Sequence, residues 1–202
     1  MKKILLLASI LVLVPIISFA EKENLEFSLA ASAKTIESKL DLKMEITNGQ
    51  ILSVGAGLTI IDHDERIISA GGIIMGEDLR PGFQYGVGLK WHGSDRIGHD
   101  EAKDFDMHSV GLNFALRYDM LADPEYKVPV ILWADFTGAP ASLCFGDAKS
   151  YVDLTIRGSI YVLPNALFFL QFNYYKIKFD ESDGETFKFR DTDLFVGVSF
   201  QF

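Results

Sequence analysis

The stretch Leu194-Phe-Val-Gly-Val-Ser-Phe-Gln-Phe202 decides the fold class of this chain. Apolar side chains stand on every second position, and Gly197, Ser199 and Gln201 fall between them. A period of two places the two sets on opposite faces of a β-strand. We expect this strand to close the fold, with an apolar outward face formed by Leu194, Val196, Val198, Phe200 and Phe202.

This last strand resembles the C-terminal strand by which Gram-negative outer-membrane β-barrel proteins are recognised for assembly. The resemblance implies a place in the outer membrane of a Gram-negative bacterium. It implies two kinds of partner: the barrel-assembly machinery, and the lipid and lipopolysaccharide of that membrane. It also implies that Phe202 lies on the periplasmic side.

The first twenty residues have the pattern of a secretory signal peptide. A basic start at Lys2 and Lys3 is followed by an almost wholly apolar run to Ile17 and by small residues at Ser18 and Ala20. We predict cleavage after Ala20. A membrane anchor is the alternative, but the apolar run is shorter than the ~20 residues that a spanning helix needs. Residues 21–202 are then expected to form one outer-membrane β-barrel.

The composition fits a barrel whose apolar content is hidden in alternation. Hydrophobic residues make up 49% of the chain, yet no uncharged apolar run after Ala20 is long enough for a membrane helix. Cleavage leaves 17 basic against 28 acidic residues, a formal charge of −11 in place of −9. This balance argues against nucleic acid as a partner, since phosphate binding needs clustered Lys and Arg.

Cys144 is the only cysteine. An internal disulfide is therefore ruled out, and no cysteine cluster indicates zinc. We expect Cys144 to be an inert residue in or near a loop, with intermolecular pairing or modification as the alternative.

Alternation predicts ten strands and no helix of useful length. Their ranges are 25–31, 40–46, 51–61, 66–75, 82–92, 109–118, 128–136, 151–162, 167–175 and 192–202. This is an all-β, antiparallel, up-and-down transmembrane barrel. An eight-stranded barrel is the alternative, if the first hairpin does not span the membrane.

The links between these strands differ in length on the two sides of the barrel. With Phe202 in the periplasm, the periplasmic links are short, at 47–50, 76–81, 120–127 and 163–166. The opposite links are long, at 93–108, 137–150 and 176–191. Short periplasmic turns and long external loops are typical of bacterial outer-membrane barrels.

Outward aromatic side chains fall near the strand ends. Those near the periplasmic rim are Phe83, Tyr118, Phe168 and Phe202, and those near the outer rim are Trp91, Phe136 and Tyr174. Amphipathic rings prefer the level of the lipid headgroups, so girdles of this kind mark the two membrane interfaces. An aromatic-rich soluble core would also explain the alternation, but not the signal peptide or the final strand.

Charged residues of both signs fall on the inward faces. They include Glu26, Asp41, Lys43 and Glu45, and a proposed lumen charge network of Lys90, Arg117, Asp135, Asp153, Arg157 and Asp193. We expect a polar plug, because a barrel of this size is filled largely by side chains and buried charges need partners. Inward glycines, including Gly55, Gly57, Gly86, Gly88, Gly111 and Gly197, would leave room for long Arg and Lys side chains. In this plug Asp135, Asp153 and Asp193 are candidate partners for Arg117 and Arg157. A narrow channel for ions or small solutes is the alternative.

Two enzyme hypotheses also arise from the sequence. His92 and Ser94 share one strand face with a His-x-Ser spacing similar to that of outer-membrane lipid A deacylases. The pair faces inward, however, and Asp95 departs from the Asn that follows Ser in those enzymes. An omptin-like protease would need opposed Asp–Asp and Asp–His pairs, for which the chain offers residues 62–64 and 99–101. This chain is much shorter than such a protease.

The acidic run at 180–185 carries oxygen ligands suited to calcium or magnesium, but it lacks the full spacing of a calcium-binding loop. Solvated surface charge is the simpler interpretation. Divalent cations at the acidic outer loops are kept as a candidate partner, with no resident cofactor or metal assigned.

The second half of the chain carries a family resemblance. Its residues are Ala139-Pro140-Ala141-Ser142-Leu143, Gly146-Asp147-Ala148-Lys149-Ser150-Tyr151, Arg157-Gly158, Pro164-Asn165-Ala166, Asn173-Tyr174-Tyr175 and Phe195-Val196-Gly197-Val198-Ser199-Phe200. This pattern resembles the YfaZ family of outer-membrane proteins. The resemblance implies an outer-membrane barrel without an assigned activity, and supplies no catalytic residues. We therefore expect a structural or surface-interaction protein, not an enzyme, with a small pore as the first alternative and an outer-leaflet lipid hydrolase as the second.

Overall fold

The computed structural model of the protein describes residues 24–47, 49–61, 65–77, 80–97, 105–180 and 186–202, and the predicted signal peptide lies outside them. The strands are β1 Asn24–Ala31, β2 Thr35–Thr47, β3 Gln50–Ile61, β4 Glu65–Glu77, β5 Phe83–Ile97, β6 Phe105–Asp119, β7 Val130–Ala139, β8 Cys144–Gly146, β9 Ala148–Leu163, β10 Ala166–Asp180 and β11 Thr186–Gln201. A 3-10 turn at Ala141–Leu143 separates β7 from β8. Within the described residues, no helix has the length and apolar character needed to cross a membrane.

The strands form one closed antiparallel sheet. Each long strand pairs with its neighbours in sequence, and β11 pairs with β1 from Glu26↔Gln201 to Ala31↔Val196. The protein is an all-β, up-and-down transmembrane barrel of ten strands, as the sequence predicts. The eight-stranded alternative is wrong, because β1 and β2 are part of the ring. The end of the barrel that holds Asn24 and Phe202 is called the inner end, and the opposite end the outer end.

The short strand β8 is the upper continuation of β7. Both run antiparallel to β6, with β7 opposite Leu112–Asp119 and β8 opposite Met107–Ser109. The 3-10 turn interrupts this line, and Gly146 then takes a left-handed φ of 74° before β9 begins. The segment 137–150, predicted as one long loop, is therefore mostly part of the wall.

The strands around the outer end are longer than the sequence analysis predicts. β2 begins at Thr35 and not at Leu40, while the paired ends of β5 and β6 reach Ile97 and Phe105. The β10–β11 hairpin extends to Asp180 and Thr186. The described parts of the predicted long outer links 93–108 and 176–191 are thus strand.

The polarity of the wall inverts along this hairpin. In the lower part of β10, Leu170 and Phe172 face outward and Gln171 is fully buried. Above Tyr175 the order reverses. Ile177 and Phe179 are fully buried, and Lys176 and Lys178, which alternate with them, face outward. A wall in lipid exposes its apolar face, whereas a wall in water buries it. The inversion therefore marks the level at which β10 leaves the membrane.

Below that level the outward face is a continuous apolar belt. Its most exposed members include Val87 at 57%, Leu89 at 55%, Leu112 at 52% and Leu194 at 62%. An apolar surface of this extent is expected only where lipid or a partner covers it. Outward aromatic residues flank the belt where the sequence predicts them, with Phe168 and Phe202 at the inner rim and Phe136 at the outer rim.

Candidate functional site: the closed lumen

Buried apolar side chains fill the outer end of the barrel. They come from seven strands and form one cluster, the outer plug, made of Ile61, Ile67, Ile97, Phe105, Met107, Ala139, Ala148, Tyr151, Tyr175, Ile177 and Phe179. Phe187, Phe189 and Cys144 pack against it. Met107, Tyr151, Ile177 and Phe179 are 0% exposed, so no water reaches them from either end.

Stacked aromatic rings hold the plug together across the lumen. The ring centroid of Phe105 lies 4.8 Å from that of Phe179 and 5.2 Å from that of Phe187. Phe105 belongs to β6, which is not a neighbour of β10 or β11 in the sheet. The stack therefore joins separate walls, and each such pair contributes about 0.5–1.5 kcal/mol beyond the area it buries.

The inward charges of the sequence predict a polar plug, and the apolar outer plug differs from that prediction. The reason lies in the strand ends. Ile177, Phe179, Phe187 and Phe189 alternate with charged residues, but their apolar face points inward, opposite to the membrane pattern. Because the strands were predicted from an apolar face that points outward, these segments were predicted to be loops.

Below the plug, Glu37 on β2 forms the centre of a polar network. Its Oε1 accepts a hydrogen bond from Nε2 of Gln171 at 2.8 Å, and its Oε2 accepts one from Nδ2 of Asn173 at 2.9 Å. Nζ of Lys39 lies 3.1 Å from Oε1. Glu37 is only 2% exposed, and these three donors offset the cost of burying its charge. The contacts tie β2 to β10 across the barrel.

Sequence reasoning missed Glu37 because the second strand was predicted to begin at Leu40. The signal was present, since Thr35, Glu37, Lys39 and Asp41 continue the inward set of β2 without a break.

Arg157 extends the network toward the inner end. Its Nε donates to Oε1 of Gln171 at 2.8 Å, and its guanidinium lies 4.1 Å from the ring centroid of Phe169. Its Nη1 lies 3.9 Å from Oε1 of Glu26. Glu26 in turn binds Nζ of Lys43 at 2.6 Å. These partners differ from the three aspartates that the sequence suggests.

A second polar group lies on the opposite wall. Nζ of Lys90 is 3.0 Å from Oδ2 of Asp153 and 3.4 Å from Oδ1 of Asp135. Nδ2 of Asn113 donates to the other oxygen of Asp135 at 2.9 Å and to Oγ1 of Thr137 at 3.0 Å. The structure thus brings together three residues that the sequence analysis places in one charge network.

The remaining two members of that predicted network lie apart from it. Arg117 donates to Gln84 at 3.0 Å and to Asp119 at 3.1 Å, near the inner end. Asp193 accepts a hydrogen bond from the hydroxyl of Ser32 in the β1–β2 turn. The six predicted residues therefore divide among separate groups.

The lumen below the plug contains a cavity of about 150 Å³, lined by apolar and charged side chains. Its charged lining consists of five cations, Lys39, Lys43, Lys90, Arg117 and Arg157, and three carboxylates, Glu26, Asp41 and Asp135. A wider space of about 410 Å³, bordered by Glu26, Lys43, Glu45 and Arg117, lies at the inner mouth. Of the predicted glycines, Gly57 makes room for a lysine, since a Cβ there would lie 3.2 Å from Cγ of Lys39. At Gly55 and Gly197 the space is taken by Asp41 and by the ring of Phe169.

His92 and Ser94 both lie inside the barrel. They are 1% and 5% exposed, on the inward face of β5. Nε2 of His92 lies 3.6 Å from Oδ2 of Asp153, and the imidazole ring packs 4.2 Å from the ring of Tyr151. Neither ring nitrogen has a hydrogen-bond partner within the described part of the chain.

The remaining predicted sites are the two candidate segments of the protease hypothesis, the acidic run at 180–185 and Cys144. Residues 62–64, 99–101 and 181–185 lie outside the described residues. Within the described ranges, no group of three or more His, Cys, Asp and Glu side chains is arranged to hold a metal ion. Cys144 is a free, half-buried thiol whose Sγ lies 3.6 Å from the carbonyl oxygen of Ala139.

A compact charged cluster covers the inner end between the β4–β5 and β6–β7 links. Nη2 of Arg80 lies 2.7 Å from carboxylate oxygens of both Asp123 and Glu125. The hydroxyl of Tyr118 donates to Asp123. The Tyr118 hydrogen bond, helped by Arg80, holds the pKa of the Asp123 carboxyl below its usual value. Arg80 also lies over the rings of Tyr118 and Tyr126.

No protein-family model matches the chain, and no curated protein matches it. Among solved structures, the chain is similar to the KdgM porin (10% identity, TM-score 0.45, 89% of this chain and 99% of that one). It is also similar to the NanC porin (8% identity, TM-score 0.45, 89% and 100%) and to Neisserial surface protein A (12% identity, TM-score 0.32, 89% and 94%). These likenesses carry no information about a site. The closed ring and its outward apolar belt make this chain an outer-membrane type of β-barrel.

Proposed function

We propose that the protein is a non-conducting β-barrel of the Gram-negative outer membrane, with a structural or surface-interaction role and its inner end in the periplasm. The observation that carries this proposal is the outer plug. Phe105, Phe179 and Phe187 stack across the lumen, and the core of the plug is fully buried. A hydrated ion would have to lose its water to pass between these rings, and hydrophobic constrictions block conduction for this reason.

The polar layer below the plug supports the same proposal. Glu37, Gln171, Asn173 and Arg157 link three strands by direct side-chain contacts. Their polar groups bind one another directly, and of these four side chains only Arg157 also lines the cavity. A solute entering from the inner end would meet first this network and then the plug.

Single-channel recording of the refolded full chain in planar bilayers tests the proposal. We expect the wild type to be silent. Phe179→Ala combined with Phe187→Ala removes two of the stacked rings and should produce open steps. Phe172→Ala is a matched control, because Phe172 lies on β10 with its ring toward lipid. Regular open steps in the wild type would contradict the closed barrel.

A narrow pore is the second candidate, and the cavity of about 150 Å³ with its charged lining favours it. On this alternative, the plug moves aside and the cavity selects the solute. Both the wild type and Lys90→Glu would then form channels, and the ion selectivity of the two would differ. In a closed barrel the same change would lower the stability of the barrel, and neither the wild type nor the variant would conduct.

We also propose that the protein is not an enzyme. The deacylase hypothesis needs His92 and Ser94 to reach acyl chains, but both side chains are buried in the lumen while lipid lies against the outward face. Purified wild type should therefore release no acyl chains from lipid A. Release that His92→Ala abolishes would contradict this proposal.

Membership of the YfaZ family is likewise a proposal. It is supported by the residue patterns between Phe136 and Phe202, which the structure places in the β7–β11 part of the wall. A role without catalysis agrees with what that resemblance implies.

A further inference from the structure

Four cations project outward from the upper part of the β10–β11 hairpin. They are Lys176 and Lys178 on β10 and Lys188 and Arg190 on β11, and together they are called the cationic face. Their orientation follows from their neighbours, because Ile177 and Phe179 between them are 0% exposed in the outer plug. Lys188 and Arg190 are exposed, and Lys176 and Lys178 are half-buried.

The antiparallel register places these like charges directly opposite one another. Lys176 is paired with Arg190, and Lys178 with Lys188. Like charges in opposite positions on neighbouring strands destabilise a sheet. Within the described residues, none of the four makes an ion pair, hydrogen bond or ring contact. The acidic residues of this part of β11, Asp191 and Asp193, fall on the inward positions. The arrangement thus lacks a counter-charge from the described wall.

The cationic face lies immediately above the apolar belt. Tyr174 is paired with Thr192, two positions below the Lys176–Arg190 pair, and the outward Phe172 and Leu194 lie opposite each other a further two positions down. An interfacial tyrosine lies at the level of the lipid headgroups. The four cations are therefore placed at headgroup level and just beyond it.

We propose that the cationic face binds the phosphate groups of a phosphorylated outer-leaflet lipid, of the lipid A type. Lys and Arg bind phosphate through short charge-assisted hydrogen bonds, and anionic headgroups attract basic clusters at a membrane surface. The acyl chains of the same lipid would lie on Phe172 and Leu194 below. This inference rests on the proposed outer-membrane placement but not on whether the lumen conducts.

The charge at this level is uneven around the barrel. On β6, the outward residues at the outer end are Asp106 and His108, and Nε2 of the histidine lies 3.5 Å from the carboxylate. A phosphate group would be repelled by that carboxylate. Of the outward faces of β6 and of β10–β11, the β10–β11 face is therefore the one that binds a phosphorylated lipid.

Binding to the detergent-purified full chain tests the inference, with diphosphoryl lipid A, the same lipid without its phosphates, and inorganic phosphate as probes. The test variant is Lys178→Gln with Lys188→Gln. Lys127→Gln is the control, because it removes an exposed lysine from the β6–β7 link at the inner end of the barrel. We expect the test variant to bind diphosphoryl lipid A about 25-fold more weakly, roughly fivefold for each cation removed, and the control to bind like the wild type.

Three results would overturn the inference: equal binding by the test variant and the control, equal binding of the dephosphorylated lipid, or inorganic phosphate displacing the lipid as effectively as lipid A itself. Lys178→Arg with Lys188→Arg keeps the charge and should restore binding, which separates lost charge from a folding defect. A conducting wild type that binds lipid A refutes the closed barrel only, and a silent wild type that does not bind refutes only this inference.

Discussion

At the scale of single residues, the buried carboxylate of Glu37 is held by three polar side chains in the lumen. Replacing it with Ala leaves Lys39 without its carboxylate and removes the acceptor of both Gln171 and Asn173. Breaking a buried pair of this kind costs about 3–5 kcal/mol. We therefore expect Glu37→Ala to lower strongly the urea concentration at the midpoint of unfolding. The loss of heat-modifiable migration on a gel measures this unfolding.

Glu45 on the same strand is the natural control, because it is exposed at the inner end. Glu45→Ala should change the free energy of unfolding by less than about 0.5 kcal/mol. Equal midpoints for the two variants would show that the Glu37 network does not stabilise the barrel.

Asp123 predicts a specific dependence of stability on pH. Its pKa lies below the usual 3.8, chiefly because the Tyr118 hydroxyl donates to its carboxylate. The ionised form is favoured in the folded protein, so its stabilising effect is full above the ordinary pKa and is lost as the pH falls through the lower folded pKa. The gap in Tm between wild type and Asp123→Asn should be constant above about pH 4 and shrink below it. A gap that stays constant down to acid pH would contradict this assignment.

At the scale of elements, β11 combines closure with assembly. Phe202, which follows this strand, exchanges two backbone hydrogen bonds with Leu25, at 2.8 and 3.2 Å, and is itself 45% exposed. Phe202→Ala keeps both bonds and removes little buried surface. We expect the refolded variant to melt close to the wild type, but the amount of folded barrel in cells to fall because assembly is impaired.

Phe168→Ala is the control for this experiment, since its ring is 40% exposed at the same rim. Pulse-chase labelling with heat-modifiable migration measures assembly in cells. If both variants assemble at the wild-type rate, the terminal aromatic residue has no special role in recognition.

The β10–β11 hairpin shows where element prediction reaches its limit. Strand alternation placed the lower part of both strands correctly, because one apolar face against lipid gives a clear period of two. Above Tyr175 the period persists, but the apolar face turns from lipid to the plug. The two strands were predicted to be shorter than they are, because the alternation by itself does not show which face of a strand lies against lipid.

At the scale of the whole molecule, the orientation of the barrel remains a prediction. We expect the cationic face to lie outside the cell and the β9–β10 link to lie in the periplasm. In a Cys144→Ser background, Lys188→Cys should react with an impermeant thiol reagent on intact cells. Asn165→Cys should react only after the outer membrane is permeabilised. Labelling of intact cells at Asn165 but not at Lys188 would reverse the orientation.

The sequence by itself determined the barrel, its ten strands, its outward belt and most of its inward charges. These properties follow from a local period of two, which each strand carries alone. Only the tertiary structure decided that Arg157 binds Gln171 while Lys90 lies between Asp135 and Asp153. It also decided that the rings of Phe105 and Phe187 meet across the lumen. Those contacts depend on closure and on the stagger of distant strands, and no local pattern records which side chains that stagger brings to the same height.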